Sequence, residues 1–253
     1  MGMPKSYDII GHIAVIEPDD DEKAAAEEIM RNKSIKTVAK KLSAREGVHR
    51  TRQLKIIAGD KNLETLHTEH GMKYKLDVGK VYFSPREGEE RQKIASVVRN
   101  NETVLVMFAG IGAYAIAITG KRPETKVYAV EINGDAYEYM KVNIRLNRVD
   151  ALVYPLKGDV RDVCRNMGNK FDRVIMPSPS NAHEFLDVAI KCLKKGGSIH
   201  FYTINKEGEE DFAKGLLLAE ANKLGRSATA ITSRKVLPYA PRMWKRCVEA
   251  RIT

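Results

Sequence analysis

The stretch VLVMFAGIGA, residues 104–113, decides the fold because it joins a hydrophobic strand to a glycine turn that opens a helix. Gly110 and Gly112 suit such a turn, since backbone without a Cβ can approach a ligand closely. The complete dinucleotide pattern GxGxxG is not met, because Ala115 occupies the third position. The two glycines alone are therefore also compatible with a tight turn that binds nothing.

Two acids follow at the ends of the next two predicted strands. Glu131 lies at the end of YAVEIN (128–133), where a carboxylate can accept hydrogen bonds from both ribose hydroxyls. Asp159, in the loop after the following strand, can meet an adenine amino group. A glycine turn, a ribose acid and an adenine acid on successive strands predict an S-adenosylmethionine site rather than a nicotinamide site.

Strands and helices alternate from residue 80 onward, which predicts an α/β domain with a parallel, doubly wound sheet over residues 78–253. The predicted strands cover residues 104–108, 126–132, 152–156, 173–176 and 198–202. The predicted helices begin at 114, 136 and 184.

The first 77 residues predict a small, separate α+β domain. Tyr7–Ile16 alternates and is rich in β-branched residues, which indicates one strand. Asp19–Asp21 can cap a helix that runs through Ala24–Ala26 toward Lys41. Further strands are predicted at residues 54–58, 63–67 and 73–78.

Composition narrows the class of protein. The net charge of +10 suggests a polyanionic partner. No apolar run approaches the roughly 20 residues that span a bilayer, and residues 1–8 lack the features of a signal peptide. The three cysteines are widely spaced, which excludes a disulfide framework and a CxxC metal or redox site. We therefore expect a cytoplasmic protein without membrane contact or a metal site. We also expect the protein to be a monomer.

The cations are concentrated in two segments. Residues 31–60 contain nine Lys/Arg against two acids, and residues 221–253 contain eight against one. Phosphate contacts are therefore predicted among Lys36, Lys40, Lys41, Arg45, Arg52, Arg234, Lys235, Arg242, Lys245 and Arg246. For Tyr239 and Trp244 we expect core packing, with base stacking as the alternative.

Several motifs resemble the archaeal and eukaryotic tRNA (guanine-37-N1)-methyltransferase family and its close relative, the aminocarboxypropyl transferase of wybutosine synthesis. They are HRTR (49–52), VYFSPR (81–86), ER (90–91), MFAGIG (107–112), EIN (131–133), GDVR (158–161) and AHEF (182–185). The resemblance implies the Rossmann-like fold of class I S-adenosylmethionine-dependent methyltransferases. It also implies the tRNA anticodon stem-loop as partner.

The resemblance further implies roles for individual residues. Glu90 matches the general base that removes the N1 proton of guanosine-37, and Arg50 matches the arginine that stabilises charge on O6. Arg52, Pro177 and Pro179 match the substrate pocket. Cofactor contacts are implied for Tyr82, Ser84, Arg91, Phe108, Gly110, Gly112, Glu131, Ile132, Asp159 and Val160.

Two departures leave the product open. Val106 stands where relatives have an aspartate that receives the methionine ammonium, and Pro177 stands where they have an asparagine. Methyl transfer to N1 of guanosine-37 is the favoured reaction. Aminocarboxypropyl transfer, or methylation of a tricyclic wyosine precursor, is the near alternative. A non-catalytic tRNA-binding protein that retains a degenerate cofactor fold is the alternative from another class.

Overall fold

A computed structural model of the protein describes residues 7–18, 21–43, 47, 52–178 and 180–253. The N-terminal part forms a four-stranded sheet in the order β1-β2-β3-β4. Its elements are β1 (Tyr7–Ile10), β2 (Ile13–Ile16), α1 (Glu22–Met30), β3 (Thr37–Lys41) and β4 (Leu54–Gly59). Strands β2 and β3 are parallel and α1 connects them, whereas the other neighbours are antiparallel. Ala26, Ile29 and Val38 lie in the small core between helix and sheet.

The prediction of a single strand over Tyr7–Ile16 is wrong, because these residues form the β1–β2 hairpin. The chain reverses at Gly11, which has a φ of +56°. A Cβ at this position would lie 2.1 Å from Thr65 Oγ1. Glycine is therefore required for the turn, and the alternating pattern on both sides concealed it.

The prediction of a helix that runs toward Lys41 is also wrong. Helix α1 ends at Met30, and Thr37–Lys41 is a strand paired on both sides. A turn in which the Asn32 carboxamide accepts from the backbone and hydroxyl of Ser34 separates the two. The predicted cap falls partly outside the described residues, since only Asp21 of Asp19–Asp21 is described, and its side chain makes no capping hydrogen bond.

A second hairpin, β5 (Glu64–Glu69) with β6 (Met72–Asp77), lies against the C-terminal domain. Tyr74 and Leu76 are fully buried in the core of that domain. The Asn143 carboxamide accepts from Lys75 N at 2.7 Å and donates to Lys75 O at 3.1 Å. The hairpin thus extends the catalytic core, and the domain boundary after residue 77 stays a prediction.

The large sheet has seven strands in the order β12-β13-β11-β10-β7-β8-β9. The strands are β7 (Thr103–Met107), β8 (Lys126–Glu131), β9 (Val153–Lys157), β10 (Phe171–Met176), β11 (Leu193–Lys206), β12 (Ala228–Ala240) and β13 (Met243–Ile252). The helices are α2 (Gly88–Val97), α3 (Ala113–Lys121), α4 (Gly134–Leu146), α5 (Val160–Val163), α6 (Leu186–Cys192) and α7 (Glu210–Lys223), with 3₁₀ turns at Pro85–Glu87 and Ala182–Phe185. Five strands are parallel, which confirms the predicted Rossmann-like α/β fold. Among the helices described, none has both the length and the apolar composition needed to cross a bilayer.

The basic C-terminal segment is an antiparallel part of this sheet, which the prediction of an entirely parallel sheet missed. Strand β10 ends at Met176, opposite Phe201, whereas β11 continues to Lys206, opposite Met243 of β13. Strands β11, β13 and β12 therefore project beyond the carboxyl end of β10. At 3.4 Å per residue, the projection is about 17 Å. We call this three-stranded projection the overhang.

Candidate cofactor and catalytic site

The glycine turn lies at the carboxyl end of β7, between the overhang side of the sheet and β8. Gly110 and Gly112 have φ values of +57° and +85°, which favour glycine. A Cβ at Gly112 would lie 2.9 Å from Met140 Cγ, whereas a Cβ at Gly110 would meet Tyr82 O at 3.8 Å. The backbone at Gly110 therefore faces space that a ligand can enter. Phe108 packs edge-to-face on Phe185 beside this turn.

Glu131 joins the glycine turn to the end of β8. Its Oε2 accepts from Gly110 N at 2.7 Å, and its Oε1 accepts from Asn133 N at 2.7 Å. An ionised carboxylate has about four acceptor positions, so both oxygens can still accept from ribose hydroxyls. This arrangement fits an adenosine ribose, and the ribose contact itself stays a prediction.

The residues predicted around the adenine occupy neighbouring strand ends. Asp159 caps α5, with its Oδ1 accepting from Arg161 N at 2.7 Å. Val160 is buried, whereas the Ile132 side chain is exposed at the end of β8. An exposed aliphatic side chain beside two carboxylates fits the apolar face and polar edge of adenine. We therefore find that the residues present fit S-adenosylmethionine.

Tyr82, Ser84 and Arg91, predicted to contact the cofactor, are held by other protein groups. Arg91 donates Nε and Nη2 to the two oxygens of Glu69, both at 2.6 Å, and Nη2 also donates to Ser84 O at 3.0 Å. The Tyr82 hydroxyl donates to Glu87 Oε1 at 2.8 Å. Their cofactor contacts stay predictions. Val106, the first departure, lies fully buried inside β7 rather than at the strand end.

The candidate base Glu90 is buried at the start of α2, under the overhang. Arg234 of β12 donates Nη1 to Glu90 Oε2 at 2.6 Å and Nη2 to Glu90 Oε1 at 2.5 Å. The Tyr202 hydroxyl of β11 also donates to Oε1. The neighbouring Arg91 pairs with Glu69. Glu90 is a shielded carboxylate oriented by two strands.

A second buried carboxylate lies one turn earlier, at Glu87. Lys245 of β13, itself buried, donates Nζ to Glu87 Oε1 at 2.8 Å. Burial alone would raise the pKa of Glu87, but the charge and hydrogen bond of Lys245 hold that pKa below its ordinary value. Both Glu87 and Glu90 are therefore fixed by basic residues of the overhang.

The structure describes only some of the residues predicted to bind the target base. Arg50 and Pro179 lie outside the described residues. Pro177 is half-buried directly after β10. Arg52 lines a cavity between the N-terminal sheet and the catalytic core, together with Lys41 and Phe83. Their contacts with a target base stay predictions.

The prediction of phosphate contacts is wrong for three residues of the C-terminal segment. Arg234, Lys245 and Arg246 point into the protein and pair with acids of α2, the adjoining 3₁₀ turn, β13 and α7. Core packing, expected for Tyr239, is wrong as well, since 57% of this residue is exposed near the hairpin tip. Hydrophobic and charged residues alternate irregularly here, so the sequence did not indicate which cations are buried.

His200, Cys247 and Glu249 have potential ligand atoms within 4.8 Å of one another in the described part of the chain. Two arginines donate hydrogen bonds to members of this cluster. Arg173 donates to His200 Nε2 at 2.5 Å, and Arg234 donates Nε to Glu249 at 2.9 Å. Burial and Arg173 lower the pKa of His200. Two neighbouring guanidinium charges oppose a metal ion here, so the cluster fits a hydrogen-bonded network.

Two ion-paired carboxylates make stability depend on pH. Although burial opposes it, contacts with His67 and Arg91 lower the pKa of Glu69 to about 2. The His200 imidazole, helped by Arg234 and opposed by burial, lowers the pKa of Glu249 to about 2. Both ordinary values are 4.5.

We expect the free energy of unfolding to fall as pH decreases from about 5 to about 2. Over this range the unfolded chain binds protons at Glu69 and Glu249 before the folded protein does, so acid favours unfolding. Above this range these two groups contribute no slope. Urea unfolding at a series of pH values measures the effect, and a constant free energy across it would contradict these pairings.

Replacing Glu131 with glutamine should weaken S-adenosylmethionine binding about 10- to 100-fold, the usual value of a hydrogen bond to a charged group. The amide would place N–H donors where Gly110 N and Asn133 N already donate. Calorimetric titration with S-adenosylmethionine measures the change. Glu138→Gln is the matched control, because Glu138 lies on exposed α4 surface and pairs with Lys141. Equal affinities of both variants would remove Glu131 from the cofactor site.

Comparison with known proteins agrees with this geometry. Residues 65–222 match the TRM5/TYW2 methyltransferase domain, and residues 2–62 match the TYW2 N-terminal domain. The chain belongs to the TRM5/TYW2 family. S-adenosylmethionine is accordingly its cofactor, and the chain is a group-transfer enzyme.

Relatives from both branches of the TRM5/TYW2 family are similar to this chain. Trm5b of Pyrococcus abyssi, named a tRNA (guanine(37)-N(1))-methyltransferase, is 40% identical and covers 99% of this chain and 76% of its own length. A Methanocaldococcus jannaschii tRNA(Phe) (4-demethylwyosine(37)-C(7)) aminocarboxypropyltransferase is 34% identical, with 97% of each chain covered.

Solved structures confirm the fold. The crystal structure of P. abyssi Trm5b superposes with a TM-score of 0.87, at 39% identity, covering 99% of this chain and 76% of that chain. A complex of aTrm5 with tRNALeu gives 0.86 at 34%, covering 99% and 73%. TYW2 of M. jannaschii with AdoMet gives 0.79 at 31%, covering 98% and 99%.

Sequence reasoning did not assign to the site five residues of the buried network around Glu90 and Arg91. They are Glu69, Glu87, Tyr202, Arg234 and Lys245. Arg234 lies 144 positions from Glu90, and Lys245 lies 158 from Glu87. The spacing of glutamates three apart at the start of a helix was the available signal, because both then face one side.

Proposed function

We propose that this protein transfers the methyl group of S-adenosylmethionine to N1 of guanosine-37 in tRNA. The observation that carries the proposal is the buried, oriented carboxylate of Glu90 beside the first turn of α3, which follows the cofactor turn. The 40% identity with a relative named for this reaction supports it. We further propose that the enzyme acts as a cytoplasmic monomer and binds the anticodon stem-loop of the tRNA.

The chemistry explains why a shielded carboxylate is needed. N1 of guanosine carries a proton at neutral pH and becomes nucleophilic when that proton leaves. Glu90 would accept the proton while the N1 lone pair forms the bond to the methyl carbon. S-adenosylmethionine, when bound, would supply an electrophilic methyl on sulfur; the methyl–sulfur bond breaks as the new bond forms, and its electron pair stays on sulfur. Glu131 and the glycine turn would hold its adenosine, and Arg50 would stabilise the charge that develops on O6.

The target base must leave the anticodon loop to reach this site, as in other base-modifying enzymes. The cations available for phosphates are fewer than those suggested by the sequence. Lys235 and Arg242 have exposed side chains on the overhang, and Lys36 lies in the N-terminal sheet domain. Affinity for tRNA should therefore fall as salt concentration rises.

Mass spectrometry of nucleosides tests the proposal. A tRNA transcript with guanosine-37, incubated with enzyme and S-adenosylmethionine, should gain N1-methylguanosine, and the matched adenosine-37 transcript should not. Adenosine N1 has no proton for Glu90 and adenosine has no O6 for Arg50. Absence of methylated guanosine, with cofactor binding intact, would overturn the proposal.

Aminocarboxypropyl transfer is the second candidate. The match of residues 2–62 to a TYW2 N-terminal domain and the 97% coverage of the M. jannaschii transferase favour it. A tRNA that carries the tricyclic wyosine precursor separates the possibilities. An added aminocarboxypropyl mass would support this candidate, and an added methyl would support precursor methylation. A protein that binds no S-adenosylmethionine would be a non-catalytic tRNA-binding protein.

A further inference from the structure

The overhang places three side chains in one row above Glu90. In the strand register, Tyr202 of β11 is opposite Cys247 of β13, and Arg234 of β12 is opposite the same Cys247. Residues directly opposite one another point to the same face of a sheet. A hydroxyl, a thiol and a guanidinium therefore form a continuous strip across three strands, and α2 packs its Glu90 against this strip.

Arg234 connects two carboxylates. Its Nη1 and Nη2 bind both oxygens of Glu90, and its Nε binds Glu249 Oε1 at 2.9 Å. Bidentate geometry fixes the plane of a carboxylate as well as its position. The contact with Glu249 fixes the guanidinium in turn, so the orientation of Glu90 depends on the C-terminal hairpin.

Among the residues that the structure describes, the other charged and titratable groups facing Glu90 leave Arg234 as its direct counter-charge. Burial raises the pKa of Tyr202, Tyr114 and Cys247, which keeps these groups neutral. Lys245 and Arg91 are engaged with Glu87 and Glu69. The groups around Glu90 are thus Arg234, Tyr202, Tyr114, Cys247, Glu87, Arg91, Lys245 and Glu249.

We propose that Arg234 is a positioning residue for methyl transfer: it supplies the counter-charge to the buried Glu90 and aims its carboxylate at the target base. This inference rests on the proposed function of Glu90 as the base. Burial without a counter-charge favours the neutral acid, which cannot accept a proton. When the base arrives, Glu90 Oε2, which accepts from Arg234 Nη1, has a second acceptor position for the N1 proton, while Glu249 retains Arg234.

The experiment compares wild type with Arg234→Met, Arg234→Lys and Arg246→Met in single-turnover methyl transfer to the guanosine-37 transcript. Arg246→Met is the matched control, because Arg246 is a buried arginine of the same hairpin that pairs with Glu210 on α7. Each rate is divided by the wild-type rate, from about pH 6 to about pH 9, so that ionisation of the nucleoside cancels. Calorimetry with S-adenosylmethionine verifies that each variant is folded.

For Arg234→Met we expect a rate about 10- to 100-fold below wild type near pH 6, with recovery toward wild type near pH 9. Its KM for tRNA should stay within about twofold, because Arg234 does not bind phosphate. Arg234→Lys should regain only part of the rate, because an ammonium restores the counter-charge but not the bidentate contact. Arg246→Met should give a ratio that does not vary with pH. These results together would support the inference.

Other outcomes separate the inference from the proposed function. An active wild type with an Arg234→Met ratio that is constant across pH would make Arg234 merely structural and overturn the inference alone. A rise in KM without loss of kcat would make it a tRNA contact. The inference would also be overturned if Arg234→Met does not fold and Arg234→Lys transfers methyl as slowly as Glu90→Gln. A wild type without methyl transfer would overturn the proposed function first.

Discussion

Glu90→Gln is expected to lower the methyl-transfer rate about 10²- to 10⁴-fold, the usual contribution of general base catalysis. Glutamine has the shape of glutamate, so its carbonyl oxygen can still accept from Arg234 Nη2 and Tyr202, although its amide group would face Arg234 Nη1. It has no basic oxygen for the N1 proton. Arg234 keeps Glu249 as counter-charge, and S-adenosylmethionine affinity should therefore remain close to wild type.

Glutamine is a better test than alanine at this position. Alanine would leave the arginine buried against an empty space, which adds a structural loss to the chemical one. Single-turnover kinetics and calorimetry measure the two properties separately. Glu102→Gln is the control, since Glu102 is also paired with a buried arginine, Arg173, but at the amino ends of the central strands β7 and β10. A rate of Glu90→Gln within threefold of this control would show that Glu90 is not the base.

The cofactor half of the site could be predicted from the sequence because it is local. Hydrophobic strands end in glycine or an acid, and parallel strands bring their carboxyl ends to one edge. The structure accordingly joins Gly110 to Glu131 through a hydrogen bond. Motif spacing is enough when each residue is positioned by its own strand.

The environment of the base could not be predicted in this way because it depends on register. Whether Arg234 faces Glu90 or solvent is decided by pairing of β12 with β13, and a shift of one residue would reverse it. Strand β12 also contains irregular register steps and Pro238. The charge pattern therefore indicated a basic surface, whereas β-sheet pairing directs three of these cations inward.

Lys245→Met is expected to lower the free energy of unfolding at neutral pH by about 3–5 kcal/mol, the cost of leaving one charge of a buried pair without its partner. Lys245 and Glu87 are both buried, with side-chain exposures of 6% and 5%. Removing the ammonium leaves the Tyr82 hydroxyl as the donor that still contacts Glu87 Oε1. A single hydroxyl compensates poorly for a desolvated carboxylate.

The pH dependence of the stability loss distinguishes an unpaired buried charge at Glu87 from a simple packing defect. In the wild type the lowered pKa of Glu87 contributes stability that is present above the ordinary acid pKa and is lost as pH falls. In the variant, burial acts without Lys245 and raises the pKa of Glu87, so protonation of Glu87 removes the unpaired buried charge. The stability difference from wild type should therefore shrink as pH falls toward about 5.

Urea unfolding of wild type, Lys245→Met and the Glu87→Gln/Lys245→Met double variant measures this difference. The double variant should recover stability at neutral pH, because it removes the unpaired charge, and equal losses in single and double variants would show that the ammonium matters for packing instead.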